Sequence, residues 1–227
     1  MERLGTKYGG WILPTNTTLN ENSIIYSAGV GEDISFDLLL QNKYNCKIFL
    51  IDPTKKAIKH YNEIINFYKN NEPFTGNIQT DYLDTIKHLN FNENKFIYIN
   101  KALWDIKTEL KFYKQTNENY VSQSIIKNMF GEKYDIVDTI TIKDLMKQNN
   151  HNNIDLLKLD IEGAEINVLN NLLNCKIYPK YILVEFDLLI KNKDNFNETK
   201  LLIDRLLYEN YNIFANDKLN ITFIRNI

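Results

Sequence analysis

Short apolar runs alternate with amphipathic stretches along almost the whole chain. Five of the runs are rich in Ile, Leu, Val, Phe and Tyr, and each is typical of a buried strand. They span Ser23–Ser27, Lys47–Asp52, Lys95–Asn100, Ile154–Asp160 and Lys180–Asp187. Helical patterns separate these runs, and an alternation of strands with helices predicts a parallel sheet covered by helices.

The helical patterns supply the crossovers between the strands. The predicted helices are Ile34–Tyr44, one that starts at Pro53, Asp81–Leu89, one from Thr141 to about Gln148, Gly163–Asn174 and Glu198–Glu209. Pro53 suits a first helical turn, because its missing N–H costs nothing there. Thr141 and Asp144 form a T-x-x-D pattern that resembles a capping box.

Four segments fall outside the parallel core. Tyr211–Ala215 and Leu219–Arg225 are predicted strands, and their three-residue connection requires them to be antiparallel. Lys107–Lys114 alternates polar and apolar residues, which indicates a strand with one solvent-exposed face. We interpret the polar stretch Asn117–Gly131 as a mobile loop or short helix near a site.

The composition indicates one globular domain. The chain has 227 residues, of which 44% are hydrophobic and 25% are charged. The formal net charge is -2, so no overall positive field attracts nucleic acid. No apolar run approaches the roughly 18 residues of a membrane-spanning helix. We therefore expect a soluble, cytoplasmic protein with no nucleic-acid partner and no membrane span.

The cysteines and histidines argue against several enzyme classes. Cys46 and Cys175 are too few for a disulfide framework or a four-ligand zinc site. The three histidines are scattered, and no HExxH or nucleophile elbow occurs. Hydrolytic triads and zinc-peptidase chemistry therefore have no support in the sequence.

Polar residues follow each of the predicted parallel strands at its carboxyl end, the edge at which open α/β sheets bind ligands. In chain order they are Ser27 with Gly29-x-Gly31, Asp52, Asn100, Lys158 with Asp160, and Glu185 with Asp187. An acid at a strand end is also a common helix cap, so any single one has a structural explanation. Together they predict a ligand site.

The glycine loop and the acid after the second strand indicate a nucleoside. Gly29-x-Gly31 lets the backbone approach a ligand closely, and Asp52 is placed to accept the hydroxyls of an adenosine ribose. A dinucleotide loop would have its third glycine where Ile34 stands, and Glu32-Asp33 would repel a pyrophosphate. S-adenosylmethionine, which has a ribose, an adenine and a sulfonium cation but no phosphate, fits better.

The strongest local signal is DLLKLDIEGAE, at Asp155–Glu165. Lys158 and Asp160 lie two apart on a strand and hence on one face. A charged lysine in a central strand is costly unless it is compensated, and Asp160 or Glu185 can do so purely structurally. The functional alternative places Lys158, Asp160, Glu162 and Glu185 around the transferred group.

These stretches resemble the FkbM-type S-adenosylmethionine-dependent methyltransferases. The matching segments are YGGW (Tyr8–Trp11), YSAGVGEDISFD (Tyr26–Asp37), FLIDPT (Phe49–Thr54), KALWD (Lys101–Asp105), VSQS (Val121–Ser124), VDTITIKDL (Val137–Leu145), DLLKLDIEGAE and ILVEFD (Ile182–Asp187). The most specific is KxDxEGxE. The resemblance implies an α/β, Rossmann-like class I methyltransferase fold with a seven-stranded, mostly parallel sheet and a C-terminal antiparallel hairpin. It also implies O-methylation, often of a sugar or secondary metabolite.

The candidate site residues divide into two groups under this interpretation. Those expected to bind the cofactor are Ser27, Gly29, Gly31, Asp33 and Asp52, with Ala102, Leu103 and Trp104 near the adenine. Many relatives have an acid where Ser27 stands, so Glu32 or Asp33 is expected to replace it. The catalytic candidates are Asp160 and Glu162, as base or acceptor-positioning groups, with Lys158 and Glu185 holding them or the substrate.

We expect residues 1–22 to form an N-terminal cap segment, and residues 23–227 to form a single methyltransferase domain with an insertion at about 105–133. These two segments are expected to determine which acceptor binds, a small molecule or glycan.

One alternative function is that of a divalent-metal-dependent enzyme that uses the carboxylates of Asp160, Glu162, Glu185 and Asp187. Another is a non-catalytic nucleoside-binding module. The sequence leaves the oligomeric state open.

Overall fold

The computed structural model describes residues 1–76, 78–114, 123–126, 131–190 and 193–226. Its strands are β1 (Glu2–Leu4), β2 (Trp11–Leu13), β3 (Ile24–Ala28), β4 (Lys47–Ile51), β5 (Phe96–Ile99), β6 (Ala102–Leu103), β7 (Glu109–Lys114), β8 (Gln123–Ser124), β9 (Tyr134–Ile140), β10 (Leu156–Leu159), β11 (Tyr181–Glu185), β12 (Tyr211–Asp217) and β13 (Asn220–Arg225). Its α-helices are α1 (Ser35–Tyr44), α2 (Lys55–Asn70), α3 (Tyr82–Ile86), α4 (Ile142–Gln148), α5 (Glu165–Asn174) and α6 (Lys193–Tyr208).

Seven strands form the central sheet in the order β12-β13-β11-β10-β3-β4-β5. The neighbours from β11 to β5 pair in parallel, whereas β13 is antiparallel to both β11 and β12. The predicted fold class, including the C-terminal antiparallel hairpin, is therefore confirmed. The carboxyl ends of the parallel strands lie together at one edge of the sheet, because these strands all run in the same direction.

The two faces of the sheet bury different side chains, as the pleat of a strand dictates. Tyr26 and Leu157 join the core cluster that includes residues of α4, α5 and α6. Ile25 and Leu156, their neighbours in sequence, join the cluster formed with α1, α2 and α3. Helices thus cover both faces of the parallel strands, which explains why those strands are apolar almost throughout.

A second, four-stranded sheet has the order β6-β9-β7-β8. Strand β7 confirms the predicted strand at Lys107–Lys114, but β9 was not anticipated. Asp135, Asp138 and Thr139 interrupt its apolar run, and its exposed face carries Tyr134 and Ile136. Most of the predicted loop at Asn117–Gly131 lies outside the described residues. The predicted cap at Thr141 is confirmed, because its hydroxyl accepts a hydrogen bond from the Asp144 N–H (3.0 Å).

Residues 1–22 contain the hairpin of β1 and β2, which packs on the C-terminal strands. Trp11 and Leu13 are buried in the core cluster that includes α1. The Thr222 hydroxyl of β13 donates to the Ile12 carbonyl (2.8 Å). These contacts hold the β1–β2 loop close to the carboxyl edge of the sheet. No helix in the described part of the chain is long and apolar enough to cross a membrane.

Candidate functional site

A cavity of about 670 Å³ lies at the carboxyl ends of β3, β4, β10 and β11, a size typical of small-molecule sites. Its inner wall follows these strands and comprises Gly29, Val30, Gly31, Ile51, Asp52, Lys158, Asp160, Glu162, Glu185 and Asp187. Its outer wall comes from the β1–β2 hairpin and the β12–β13 hairpin. It comprises Arg3, Lys7, Tyr8, Gly9, Asp217, Lys218, Leu219 and Asn220. Ala102 and Leu103 also line the cavity.

The loop after β3 is held by Asp52, which follows β4. Asp52 Oδ2 accepts hydrogen bonds from the N–H groups of Val30 (2.9 Å) and Gly31 (3.1 Å). Its Oδ1 accepts from the Thr54 N–H (2.8 Å). Gly29 has a φ of 80°, which favours glycine. Since Oδ1 accepts one bond and has two lone pairs, it can still receive a ligand hydroxyl.

The glycine loop interlocks with the loop after β10. A Cβ at Gly29 would overlap the carbonyl oxygen of Asp160. The Asp160 N–H donates to the Ala28 carbonyl (3.1 Å), and Lys158 Nζ donates to the Gly29 carbonyl (2.6 Å). The position of each loop therefore depends on the other.

Lys158 is 5% exposed and has partners on several sides. Besides Gly29, its Nζ lies 3.7 Å from Asp160 Oδ2, one of the two partners expected from the sequence. A third group is the buried carboxyl of Asp37 in α1. Burial raises the pKa of Asp37, and the positive charge of Lys158 opposes that rise. These partners compensate a lysine that would otherwise be costly to bury.

A second buried carboxylate fixes the loop between β10 and α5. Glu165 Oε1 accepts hydrogen bonds from the N–H groups of Ile161 (3.0 Å) and Gly163 (3.1 Å). Within this loop Glu162 has a φ of 56°, which is uncommon for a non-glycine residue. Its carbonyl accepts a hydrogen bond from the Ser124 hydroxyl (2.6 Å). Strained backbone of this kind concentrates at functional sites, and here it belongs to a cavity-lining residue.

Burial raises the pKa values of the carboxyl groups at the end of β11. The pKa of Glu185 rises to about 7 because of burial, with further contributions from the charges of Asp160 and Glu162. Burial raises the pKa of Asp187 to about 9, and the charge of Glu162 adds to the effect. At neutral pH these two groups therefore hold their protons to a much greater extent than free carboxyl groups do. Carboxyl groups of this kind, placed beside other acids of the inner wall, suit proton transfer.

Asp33 holds the β1–β2 loop in place. Its Oδ2 accepts a hydrogen bond from the Thr6 hydroxyl (2.6 Å), and its Oδ1 accepts from the Ser35 N–H (2.9 Å). A Cβ at Gly9 would lie 2.6 Å from Asp33 Cγ, which explains the need for glycine in that loop. Asp33 lines the cavity, but its oxygens are engaged within the protein.

Most of the residues predicted from the sequence reach this one cavity. Those on its wall are Gly29, Gly31, Asp33, Asp52, Ala102, Leu103, Lys158, Asp160, Glu162 and Glu185. Ser27 and Trp104 are not among the described residues that line it. Ser27 is completely buried within its strand. Trp104 directly follows β6 of the second sheet, and its backbone N–H donates to the Ile140 carbonyl (3.0 Å).

Sequence reasoning missed residues that lie outside the strand ends. Asp37 and Glu165 lie inside the matching motifs, and an acid on an otherwise apolar stretch was the available signal for both. Arg3 and Lys218 gave no signal, because their proximity depends on the packing of the β1–β2 loop against the β12–β13 turn. In the described residues, no group of three or more His, Cys, Asp or Glu side chains is arranged to hold a metal ion.

Comparison with known proteins gives a family. A family model described as "Methyltransferase FkbM domain" matches residues 10–213. Among solved structures, a Methanococcus jannaschii fibrillarin pre-rRNA processing protein has a TM-score of 0.44 and 13% identity, over 92% of this chain and 67% of that one. A fibrillarin/Nop5p complex has a TM-score of 0.43 and 9% identity, with 92% and 75% coverage. No curated protein matches the chain.

Proposed function

The chain belongs to the FkbM methyltransferase family, and we propose that it uses S-adenosylmethionine to methylate a hydroxyl of a sugar, a glycan or a small metabolite. One observation carries this proposal: a glycine loop fixed by Asp52 interlocks with a carboxylate-rich loop at a cavity of about 670 Å³. Carboxylates favour a sulfonium cation and disfavour a phosphate. The inner wall therefore suits this cofactor better than a dinucleotide.

The cavity residues fit the separate parts of S-adenosylmethionine. Asp52 Oδ1 has a lone pair available for a ribose hydroxyl. Ile51, Ala102 and Leu103 supply an apolar wall for the adenine. The acidic side chains of the inner wall, Asp160 among them, suit the sulfonium. When bound, the cofactor supplies an electrophilic methyl group for an in-line displacement, so alignment should provide much of the rate.

A base must remove the proton of the acceptor hydroxyl, and Asp160 and Glu162 are our candidates. Glu185 forms a hydrogen bond with Asp160 and has a pKa of about 7. A general base works best when its pKa lies near the working pH. The Glu185–Asp160 pair meets this condition, and it can hold the proton removed from the acceptor.

Lys158 acts as a positioning residue in this proposal. Its Nζ donates to the Gly29 carbonyl (2.6 Å) and lies 3.7 Å from Asp160 Oδ2. It therefore connects the cofactor loop with the candidate base. Since the side chain is almost fully buried, this role does not require Lys158 to touch the acceptor.

We assign the choice of acceptor to the cap segment 1–22 and to the insertion at about 105–133 of the domain 23–227. Tyr8 from the first segment lines the cavity, as do Phe112, Gln123 and Ile125 from the second. Binding residues are often placed on loops that a rigid scaffold supports. We expect exchanges in these segments to change the acceptor while leaving cofactor affinity intact.

Calorimetry with S-adenosylhomocysteine tests the cofactor assignment. We expect saturable binding to the wild-type chain. An absence of binding at millimolar concentration would refute the methyltransferase proposal. Methyl transfer is tested separately, with labelled cofactor and cell extracts as the source of acceptors. Tight binding of S-adenosylhomocysteine without transfer to any acceptor would instead indicate a nucleoside-binding module. Activity lost in chelator and restored by one divalent ion would indicate the metal-dependent alternative.

The variants Asp160→Asn and Glu162→Gln test the catalytic assignment. Each preserves the shape of its side chain, so we expect folding and the binding of S-adenosylhomocysteine, which has no sulfonium charge, to persist while turnover falls about 100-fold or more. Asp84→Asn is the control, because Asp84 is an exposed residue of α3 that pairs with Lys87 on the surface, away from the cavity. Full turnover in both active-site variants would show that the base lies elsewhere.

A further inference from the structure

Two lysines line the outer wall of the cavity, apart from the carboxylates of the inner wall. Lys7 comes from the β1–β2 loop and Lys218 from the β12–β13 turn. Within the described residues, neither lysine side chain has an ion-pair partner. Most other charged groups at this cavity are engaged, as Lys158 is with Asp160 and Arg3 is with Asp217. The two lysines therefore offer positive charge to a ligand.

Arg3 fixes the two lysine-bearing loops relative to each other. One of its terminal nitrogens donates to Asp217 Oδ2 (2.9 Å), and the other donates to the Lys7 carbonyl (3.2 Å). Asp217 directly precedes Lys218. The Lys7 N–H also donates to Asp81 Oδ2 (3.0 Å). Both lysine backbones are thus held in place at the cavity, and only the side chains need to order around a ligand, which limits the entropic cost of binding.

The backbone at Lys218 provides an independent observation. Strand residues Asp217 and Asn220 pair with each other, so Lys218 and Leu219 are the two central residues of a tight turn. Lys218 has a φ of 61° there, a conformation that such turns usually give to Gly, Asn or Asp. A lysine is disfavoured at this position for backbone reasons. Backbone departures of this kind are enriched at functional sites, and this one lies on the wall of the cavity.

On the basis of the proposed function, we infer that the acceptor carries an anionic oxygen group, a phosphate or a carboxylate, which Lys7 and Lys218 bind at the outer wall. The hydroxyl to be methylated then reaches toward the acids at the ends of β10 and β11. An anion is repelled by those acids and attracted by the lysines, so the charge pattern of the cavity orients the acceptor.

Inorganic phosphate and acetate are the probes for the anionic group. The protein, saturated with S-adenosylhomocysteine at low salt, is titrated with each anion while the backbone amide shifts of residues 3–9 and 217–220 are followed by NMR. We expect saturable shifts at these amides with at least one anion. Tighter binding of phosphate indicates a phosphorylated acceptor, and tighter binding of acetate indicates a carboxylated one. No saturable shift with either anion would overturn the inference.

The variants Lys7→Gln and Lys218→Gly distinguish an effect on anion affinity from an effect on stability. Each should weaken the anion about tenfold, as expected for the loss of one charge-assisted contact. Lys218→Gly should also raise Tm by about 2 to 4 °C, since glycine suits the turn. The control is Lys176→Gly, because exposed Lys176 has a similar φ of 57° and lies away from the cavity. It should raise Tm comparably and leave anion affinity unchanged.

The cofactor carboxylate is the other anion that could occupy these lysines. If it does, both variants will weaken S-adenosylhomocysteine but leave methylthioadenosine, which lacks the amino-acid portion, unaffected. That result would overturn the inference while supporting cofactor binding. Failure of the wild-type chain to bind S-adenosylhomocysteine at all would instead refute the proposed function, so the two failures are distinguishable.

Discussion

The two loops of the inner wall are each held by a carboxylate, but the two carboxylates differ in their access to the cavity. In each, one carboxylate oxygen accepts two backbone N–H groups: Asp52 holds the loop after β3, and Glu165 holds the loop after β10. Asp52 comes from a neighbouring strand and lines the cavity. Glu165 comes from the helix that its own loop starts, and it is 1% exposed.

The difference shows how the origin of a supporting side chain decides what else it can do. A carboxylate on the adjacent strand lies between the loop and the cavity, so it can hold the loop backbone and bind a ligand at the same time. A carboxylate at the first turn of the following helix lies beneath its loop. Burial accordingly raises the pKa of Glu165 to about 8, and its role is confined to the scaffold.

Gly29→Ala breaks the contact between the two loops and has the largest expected effect. The added Cβ would overlap the Asp160 carbonyl, and the φ of 80° is unfavourable for alanine. We expect a loss of about 3 kcal/mol or more of unfolding free energy, measured by chemical denaturation. Gly76→Ala is the matched control, since a Cβ there meets only side-chain ends at 3.6 and 3.7 Å. A Gly29→Ala chain as stable as this control would contradict the interlocked geometry.

Asp52→Asn and Glu165→Gln compare the two carboxylates directly. We expect Asp52→Asn to weaken S-adenosylhomocysteine about 10- to 100-fold, because the amide presents an N–H₂ group where a carboxylate oxygen accepts hydrogen bonds. Glu165→Gln should change the affinity less than about threefold, since its carbonyl oxygen can still accept both N–H groups. Calorimetry measures both. Equal losses in the two variants would show that both carboxylates act on the cofactor only by holding backbone.

The pH dependence of stability gives the smallest expected effect. Glu165 has a raised pKa when folded, so the unfolded chain releases this proton above about pH 4.5, whereas the folded chain keeps it until about pH 8. Its stabilising contribution is therefore complete below pH 4.5 and is lost as the pH rises toward 8.

Glu165→Gln cannot ionise, and its stability relative to wild type should rise by about 1 to 2 kcal/mol between pH 5 and pH 6.5. Urea titrations at several pH values measure this difference. Glu21→Gln, at an exposed position, should show no such trend. A flat difference for Glu165→Gln would mean that the buried carboxyl ionises near its ordinary pKa.

The sheet could be predicted from the sequence because its parallel strands are apolar on both faces. Such runs contrast with their flanking helices, and the three-residue connection before Leu219 permits only a hairpin. Strand β9 was missed for the opposite reason, since one of its faces is exposed and its polar residues break the apolar run. Short strands β1 and β2 gave too few residues for a periodicity.

The site residues that are brought together by the common direction of the parallel strands could be predicted from the sequence. The contacts that depend on packing between distant segments could not. Parallel strands that end at one edge bring Asp52, Asp160 and Glu185 together, and this could be argued from order alone. The compensation of Lys158 by Asp37 depends on how α1 packs against β10. The Arg3 contacts depend on how the first hairpin packs against the last. No local pattern encodes either arrangement.

The position of β13 in the sheet has a consequence for the order of folding. This strand, which comes after all others in the chain, lies between β11 and β12 and pairs with both. During synthesis β12 therefore has no place in the sheet until β13 emerges, and the turn that carries Lys218 forms only then. The hydrogen bond between Arg3 and Asp217 also cannot form until Asp217, 214 residues later in the chain, has been synthesised. Long-range closure of this kind is slow, so the outer wall of the cavity should form after the inner wall.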